Sequence, residues 1–304
     1  MKREKQNCIV ERDEQIVRVI AYAVLSVMSV IAVAPFFILL AASFSSEASI
    51  AANGYGFIPK VFSLEAWKYL WQAYKIIGKA YGVTIAITAI GTILSVIVTS
   101  MFAYGLIQKV PGIKVIMAVL VITMIFNGGL VSTYYVWAGW MEIKNTFAAL
   151  LFPNLFTSAF SVILVMSYYK TSIPVEMLEA ARLDGANEMQ IYYKLVLPLS
   201  LPILATIGLM QAITYWNDWT NGMYYIDVRH ADMYSIQLLL NQMNQQIEFL
   251  ATNPNFAAQF GTMTIPQESV RMAIAFVGVL PLIVAFPFFQ KYFAKGLTLG
   301  SVKG

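Results

Sequence analysis

The sequence is short of charge, cysteine and histidine, and each shortage removes a class of function. Charged residues are 12% of the 304, where a soluble domain carries about 25%. Most of the chain is therefore not built to face water. Cys8 is the one cysteine and lies in the polar N-terminal stretch. It has no partner for a disulfide within the chain and reads as incidental. His230 is the one histidine, which excludes a histidine metal cluster and argues against a Ser–His hydrolase. No GxxxxGK[ST] segment occurs, so the chain has no nucleotide-phosphate cradle of its own. The net charge of +4 is mild and indicates no nucleic-acid partner. No ladder of ionisable residues runs through the apolar stretches, as a proton-driven transporter would need.

What the chain has is hydrophobic length, with 59% hydrophobic residues. Several runs approach or exceed the roughly 20 residues that span a bilayer. The reading is an all-α polytopic membrane protein with six transmembrane helices; a barrel would show short alternating segments instead. Residues 1–18 form a polar N-terminus and 19–43 the first transmembrane helix. Residues 44–81 form an outer connection, where Trp67, Tyr69, Trp71 and Tyr74 suggest an interfacial helix over Leu64 to Tyr74. Residues 82–289 hold five more spans: Gly82 to Leu106, Val115 to Trp137, Phe147 to Ser167, Leu201 to Tyr225, and about Val270 to Phe289. Thr84, Thr88, Gly91, Thr92 and Ser95 suit close helix packing in the second span. Two connections interrupt this core, a charged one at 170–200 and a polar one at 227–267. Residues 290–304 are a short basic tail. Lys and Arg favour the N-terminal side, which puts both termini and the 170–200 connection in the cytoplasm.

That charged connection is structured. Glu176, Glu179, Arg182, Asp184, Glu188 and Lys194 cluster in a chain that otherwise avoids charge. Pro174 to Asp184 reads as a short helix, Gly185 as a break and Asn187 to Leu195 as a second helix. Pro198 and Pro202 mark the approach to the next span. Such an elbow is built to touch something. Met177, Leu178 and Ala181 fall near one helical face. That face reads either as a contact surface for a partner or as packing against the chain's own spans.

Glu179-Ala180-Ala181, three residues, Gly185, nine residues, Leu195, one residue and Leu197-Pro198 closely resembles the EAA loop of ABC importer permeases. Leu195 stands where that pattern usually has Ile. Asn127 to Leu130, Leu151 to Asn154, Trp216 to Trp219 and the tail from Phe288 look like the carbohydrate-type, binding-protein-dependent permeases. The similarity is to the smaller maltose permease subunit and the oligosaccharide branch. The resemblance implies a type I ABC importer permease core in a bacterial cytoplasmic membrane. It implies as partners a second permease subunit, two ATPase subunits, an extracytoplasmic solute-binding protein and a carbohydrate substrate. ATP and magnesium would sit on the ATPases, leaving this chain without a cofactor, a metal or an enzymatic activity. Carried over, Glu179 pairs with a basic residue of the ATPase groove, and Ala180 and Ala181 allow close approach. Gly185 makes the turn, and Leu197 and Pro198 close the motif.

Sugar rings stack on aromatic faces and sugar hydroxyls take side-chain hydrogen bonds. Candidates for the substrate path are Asn127, Tyr134, Asn154, Gln211, Tyr215, Asn217 and Asp218. Asp218 reads equally as a substrate contact and as an interfacial residue hydrogen-bonded between subunits. Trp216 and Trp219 read as interfacial anchors. The alternatives are the same machine carrying a non-sugar solute, or a membrane scaffold with no ATPase partner. A membrane enzyme would show clustered ionisable groups, and none is found.

Overall fold

The structure is a computed structural model that describes residues 2–108, 111–126, 128–155, 159–253 and 267–298. Among these residues the chain is helical, with one isolated antiparallel bridge between Ser45 and Phe62. The helices are α1 (Lys2–Ser43), α2 (Glu47–Asn53), α3 (Glu65–Gln72), α4 (Tyr74–Ile107), α5 (Ile113–Ile125), α6 (Gly129–Tyr134), α7 (Phe147–Leu155) and α8 (Ala159–Ser172). They continue with α9 (Val175–Leu183), α10 (Glu188–Ile191), α11 (Leu197–Leu199), α12 (Leu201–Asn217), α13 (Thr220–Tyr225), α14 (Ile236–Thr252) and α15 (Gln267–Thr298). Wider π turns follow α6 at Tyr135–Trp140 and α10 at Tyr192–Val196.

Among the described residues two helices are each long and apolar enough to cross a membrane, Gln15–Ser43 within α1 and Tyr74–Ile107. Two bent pairs pass the same test when joined: Phe147–Asn154 with Ala159–Ser172 at 55°, and Glu188–Leu199 with Leu201–Asn217 at 79°. The third span, which the sequence reads as interrupted at Asn127 to Gly129, is broken there, and the fourth and fifth, read as single spans, are broken as well. The third stops at Phe126, whose backbone is extended, and restarts at Gly129 with φ +79°. The fourth is divided into α7 and α8, with Pro153 close to the break. The fifth ends at Asn217 because Asp218 is extended, and α13 begins as a separate helix.

The chain divides into two compact units. The first joins residues 1–73 to 244–277. Here the Glu47 carboxylate accepts from the backbone N–H groups of Glu268 (2.9 Å) and Ser269 (3.2 Å). An acid of α2 thus satisfies free donors at the start of α15, where the helix dipole favours negative charge. Phe44 stacks on Phe62 and on Trp67, and Trp67 meets Phe276 edge-on.

The second unit, residues 74–243 and 278–304, is organised by α4, which packs against α8 and α12. At Gly91 the Tyr215 ring of α12 lies across α4, so a Cβ there would sit 2.3 Å from the tyrosine Cζ. Tyr215 is only 1% exposed and donates its hydroxyl to the Leu151 carbonyl (2.9 Å). The Gly91 and Thr spacing read as a packing surface is therefore used as one. Thr84 is buried too; it bonds back to Ala80 and receives the N–H of Ile236.

Two glycines of α4 have opposite expected outcomes. Gly91→Ala forces a methyl into the Tyr215 ring and should destabilise the protein by about 1–3 kcal/mol. Gly78 has nothing within 4 Å of its ideal Cβ, so Gly78→Ala should stabilise by about 0.5–1 kcal/mol through helix propensity. Thermal unfolding of the two purified variants checks both signs.

Candidate functional site

The elbow is shaped by consecutive stop and start signals. Pro174 precedes α9 in an extended conformation. At the other end the Gly185 N–H donates to the Arg182 carbonyl (3.1 Å) and the Ala186 N–H to the Ala181 carbonyl (3.0 Å). That pair of bonds is the Schellman ending, which needs a left-handed residue, and Gly185 supplies it with φ +81°. Two residues on, the Asn187 side chain accepts from the Gln190 N–H (2.9 Å), and the Gln190 side chain accepts from the Asn187 N–H (3.0 Å). This capping box starts α10. A helix is stopped and another started within four residues, with the angle between them held by hydrogen bonds.

The inward face joins the chain's own core. Leu178, 7% exposed, packs with Ile191, Tyr192 and Val196 among side chains of α4, α8 and α12. Ala181, Leu195 and Leu197 border the same cluster. Of the three residues read on one helical face, Leu178 and Ala181 thus turn inward, while Met177 is exposed. Glu179, Ala180, Gly185 and Pro198 are also exposed. Leu183 was not singled out from the sequence, yet it is 88% exposed. Its spacing, three residues after Ala180 and four after Glu179, was the available signal. Glu179, Ala180 and Leu183 together make an outward face with an acid, a small residue and a bare apolar residue.

A polar strut braces the elbow. Arg182 Nε donates to Glu188 Oε1 (2.8 Å), and Arg182 Nη2 donates to Gln108 Oε1 (2.6 Å) just beyond α4. The Tyr104 hydroxyl donates to Glu188 Oε2. Donation from Arg182, and then from Tyr104, holds the Glu188 carboxyl below the usual glutamate range. The same contact with Glu188 raises Arg182.

Four substrate-path candidates come together in a separate knot. Asn154 Nδ2 donates to Asp218 Oδ2 (2.7 Å), and Gln211 Nε2 donates to the Asn154 carbonyl (2.8 Å). Tyr215 reaches the neighbouring α7 carbonyl of Leu151. Asp218 Oδ1 accepts from the backbone N–H groups of Thr220 (3.0 Å) and Asn221 (3.1 Å) and from the Thr220 hydroxyl (2.9 Å). Its Oδ2 also accepts from Asn221 Nδ2. Both Asp218 oxygens are thus engaged inside the chain, where they start α13 and tie it to α7. Tyr134 lies apart, stacked on Tyr225 at 5.7 Å, and Asn217 is exposed. Asn127 lies outside the described residues. Trp216, read as an interfacial anchor, is buried and donates its indole N–H to the Gly278 carbonyl (3.2 Å). Trp219 is exposed. Among the described residues no cluster of His, Cys, Asp and Glu has the makings of a metal site.

Comparison with known proteins gives one consistent result. The family described as binding-protein-dependent transport system inner membrane component matches residues 82–299. The chain is 34% identical to the polygalacturonan/rhamnogalacturonan transport system permease protein YtcP of Bacillus subtilis (strain 168), over 93% of this chain and 96% of that one. It is 30% identical to the melibiose/raffinose/stachyose import permease protein MelC of the same organism, over 89% and 91%. Among solved structures it superposes with a TM-score of 0.76 and 29% identity on a bacterial ABC transporter involved in the import of the acidic polysaccharide alginate. That match covers 93% of this chain and 98% of the other.

Gly185 has open space around it, so a side chain there is opposed by backbone conformation alone. Gly185→Ala should destabilise the elbow by about 1–2 kcal/mol, the left-handed penalty, and Gly185→Asn by less. Limited proteolysis between α9 and α10 reads both. The lowered Glu188 carboxyl sets a pH dependence. A depressed acid stabilises fully above its unfolded value, near 4.3, and loses that contribution as pH falls through the folded value. Amide protection in α10, corrected for the intrinsic pH dependence of exchange, should fall across that acidic window in the native chain. In Glu188→Gln protection should already be lower at neutral pH and show no step.

Proposed function

Since the chain belongs to the family of binding-protein-dependent transport system inner membrane components, we propose that it is the permease subunit of an ATP-driven importer of an oligosaccharide. The observation that carries this reading is the elbow: a hydrogen-bonded turn presenting Glu179, Ala180 and Leu183 outward from a body of apolar helices. An exposed leucine beside a small residue and an acid suits a groove on another protein. The carbohydrate names of the relatives support the cargo class, and the alginate importer extends that support to the fold.

In this reading the elbow and both termini face the cytoplasm. The partners are a second permease subunit, two ATPases that bind ATP and magnesium, and an extracytoplasmic solute-binding protein. ATP closes the ATPase pair, the docked elbows move as rigid pieces, and the attached helices rock to expose the path on alternate sides. Asn154, Gln211 and Asp218 hold one another, so they set the shape of the α7–α12 junction. Tyr134, Asn217 and Asn127 are the remaining candidates for sugar contact.

Purification from membranes tests the assembly. The native chain should bring down an ATPase and a second permease, and the binding protein loaded with oligosaccharide should stimulate ATP hydrolysis. Glu179→Ala and Gly185→Pro should lose that stimulation. If no ATPase accompanies the native chain when the membrane complex is kept intact, the importer reading falls and a scaffold takes its place.

A further inference from the structure

We propose that Arg182 and Glu188 are positioning residues that lock the elbow to α4, so that α4 moves with the elbow and α8 as one driven body. The proposal rests on the importer reading for what drives the elbow, but the grip is read from geometry alone.

The grip lies at the end of α4. Ser100 and Tyr104 stand four residues apart on one face of α4, and Gln108 follows just past the end of the helix. Each meets the elbow or the turn that leaves it through a polar atom. The Ser100 hydroxyl lies 2.7 Å from the Tyr169 hydroxyl of α8 and 2.8 Å from the Tyr192 hydroxyl after α10. All three residues are buried. Four residues on, Tyr104 donates to Glu188 and packs its ring against Tyr192 at 5.4 Å. Four residues further, Gln108 accepts from Arg182. One guanidinium thereby joins α9, α10 and the end of α4.

The type of contact matters. An isolated surface ion pair is worth about 0–1 kcal/mol and transmits little. Here the planar guanidinium fork is engaged on two edges by two acceptors, and the carboxylate it grips is engaged from the other side by Tyr104. Such bonds are directional, so a displaced elbow drags its partners. The contact with α12 is different: it is apolar, through Ile203, Leu204 and Ile207, and lies beyond the 79° bend that follows α11. The strut is partly exposed, but it gives the elbow directional polar contacts with α4 that its apolar contact with α12 lacks.

The test uses the reconstituted complex with its ATPases, second permease and binding protein, and an oligosaccharide that stimulates hydrolysis. The variants are Arg182→Ala, Glu188→Gln and the reversed pair Arg182→Glu with Glu188→Arg. ATPase copurification should be retained in all three, since the Arg182 and Glu188 side chains are turned back toward Gln108 and Tyr104. Sugar moved per ATP hydrolysed should fall several-fold in the single variants, because hydrolysis continues while the elbow no longer carries α4 with it. The reversed pair should recover most of the loss, because the Gln108 amide also donates and the Tyr104 hydroxyl also accepts. Loss of sugar moved per ATP with ATPase binding and thermal unfolding unchanged separates this role from a merely structural one.

A second readout works on the chain in vesicles, with or without an ATPase. Spin labels at Phe102 and Met189, both exposed, in a Cys8→Ser background should show one narrow distance. Arg182→Ala should broaden it. An unchanged distance, or unchanged sugar per ATP with the ATPase still bound, overturns the strut and leaves the importer reading standing. Absence of an ATPase from the native complex removes the importer reading, while the label distance still decides the strut.

Discussion

The interaction on which this structure depends is the pairing of selected polar groups between apolar helices. The hydroxyls of Thr88, Thr92, Ser95 and Thr99 are buried on α4 without a partner, but the polar groups at the helix junctions are paired inside the chain. Lipid offers no partners, and an unpaired buried group costs several kcal/mol. Thr84 bonds back to its own helix and takes a backbone N–H from the start of α14. Ser100 meets two tyrosine hydroxyls, and Asp218 gathers donors from α7 and α13. Each partnership fixes the rotation of one helix against another, which apolar packing alone leaves loosely specified.

The same pairing explains where the helices break. A break exposes backbone groups, so it is tolerated where side chains or a special conformation satisfy them. Asp218 ends α12 and supplies its carboxylate to the first N–H groups of α13. Gly185 ends α9 and its N–H returns to the preceding turn. Gly129, with φ +79°, restarts the chain after the break at Phe126. Interruptions in an apolar chain are thus built features with identifiable donors and acceptors.

Much of this was legible in the sequence, for physical reasons. Hydrophobic length marked α1 and α4, and the small residues of α4 marked a packing face. Pro174, Gly185 and the charges around them marked the elbow and its resemblance to the EAA loop, and the family match agrees with that resemblance. Direction was not legible. An aromatic in a span has two uses, ligand platform or packing, and the sequence around Tyr215 does not show that its ring lies against Gly91 of a neighbouring helix. Asp218 was recognisable as unusual, but its partner Asn154 lies 64 residues away. Leu178 and Leu183 are both leucines of one short helix, yet one is buried and the other bare. Which face turns inward depends on α4, which contributes nothing to the local pattern.

That split within α9 carries the mechanical argument. A helix that packed all its apolar side chains inward would be a passive cap on the core. One that presented them all outward would hang from the chain by its backbone, and a flexible backbone transmits tension but not compression or rotation. Here Leu178 and Ala181 are seated in the core while Glu179, Ala180 and Leu183 face out. The Schellman turn and the capping box then hold α10 at a set angle to α9. The inward and outward faces belong to the same two turns of helix. A push on the outer face therefore reaches the core without passing through a loop, and the series of Ser100, Tyr104 and Gln108 gives it a directional path into α4.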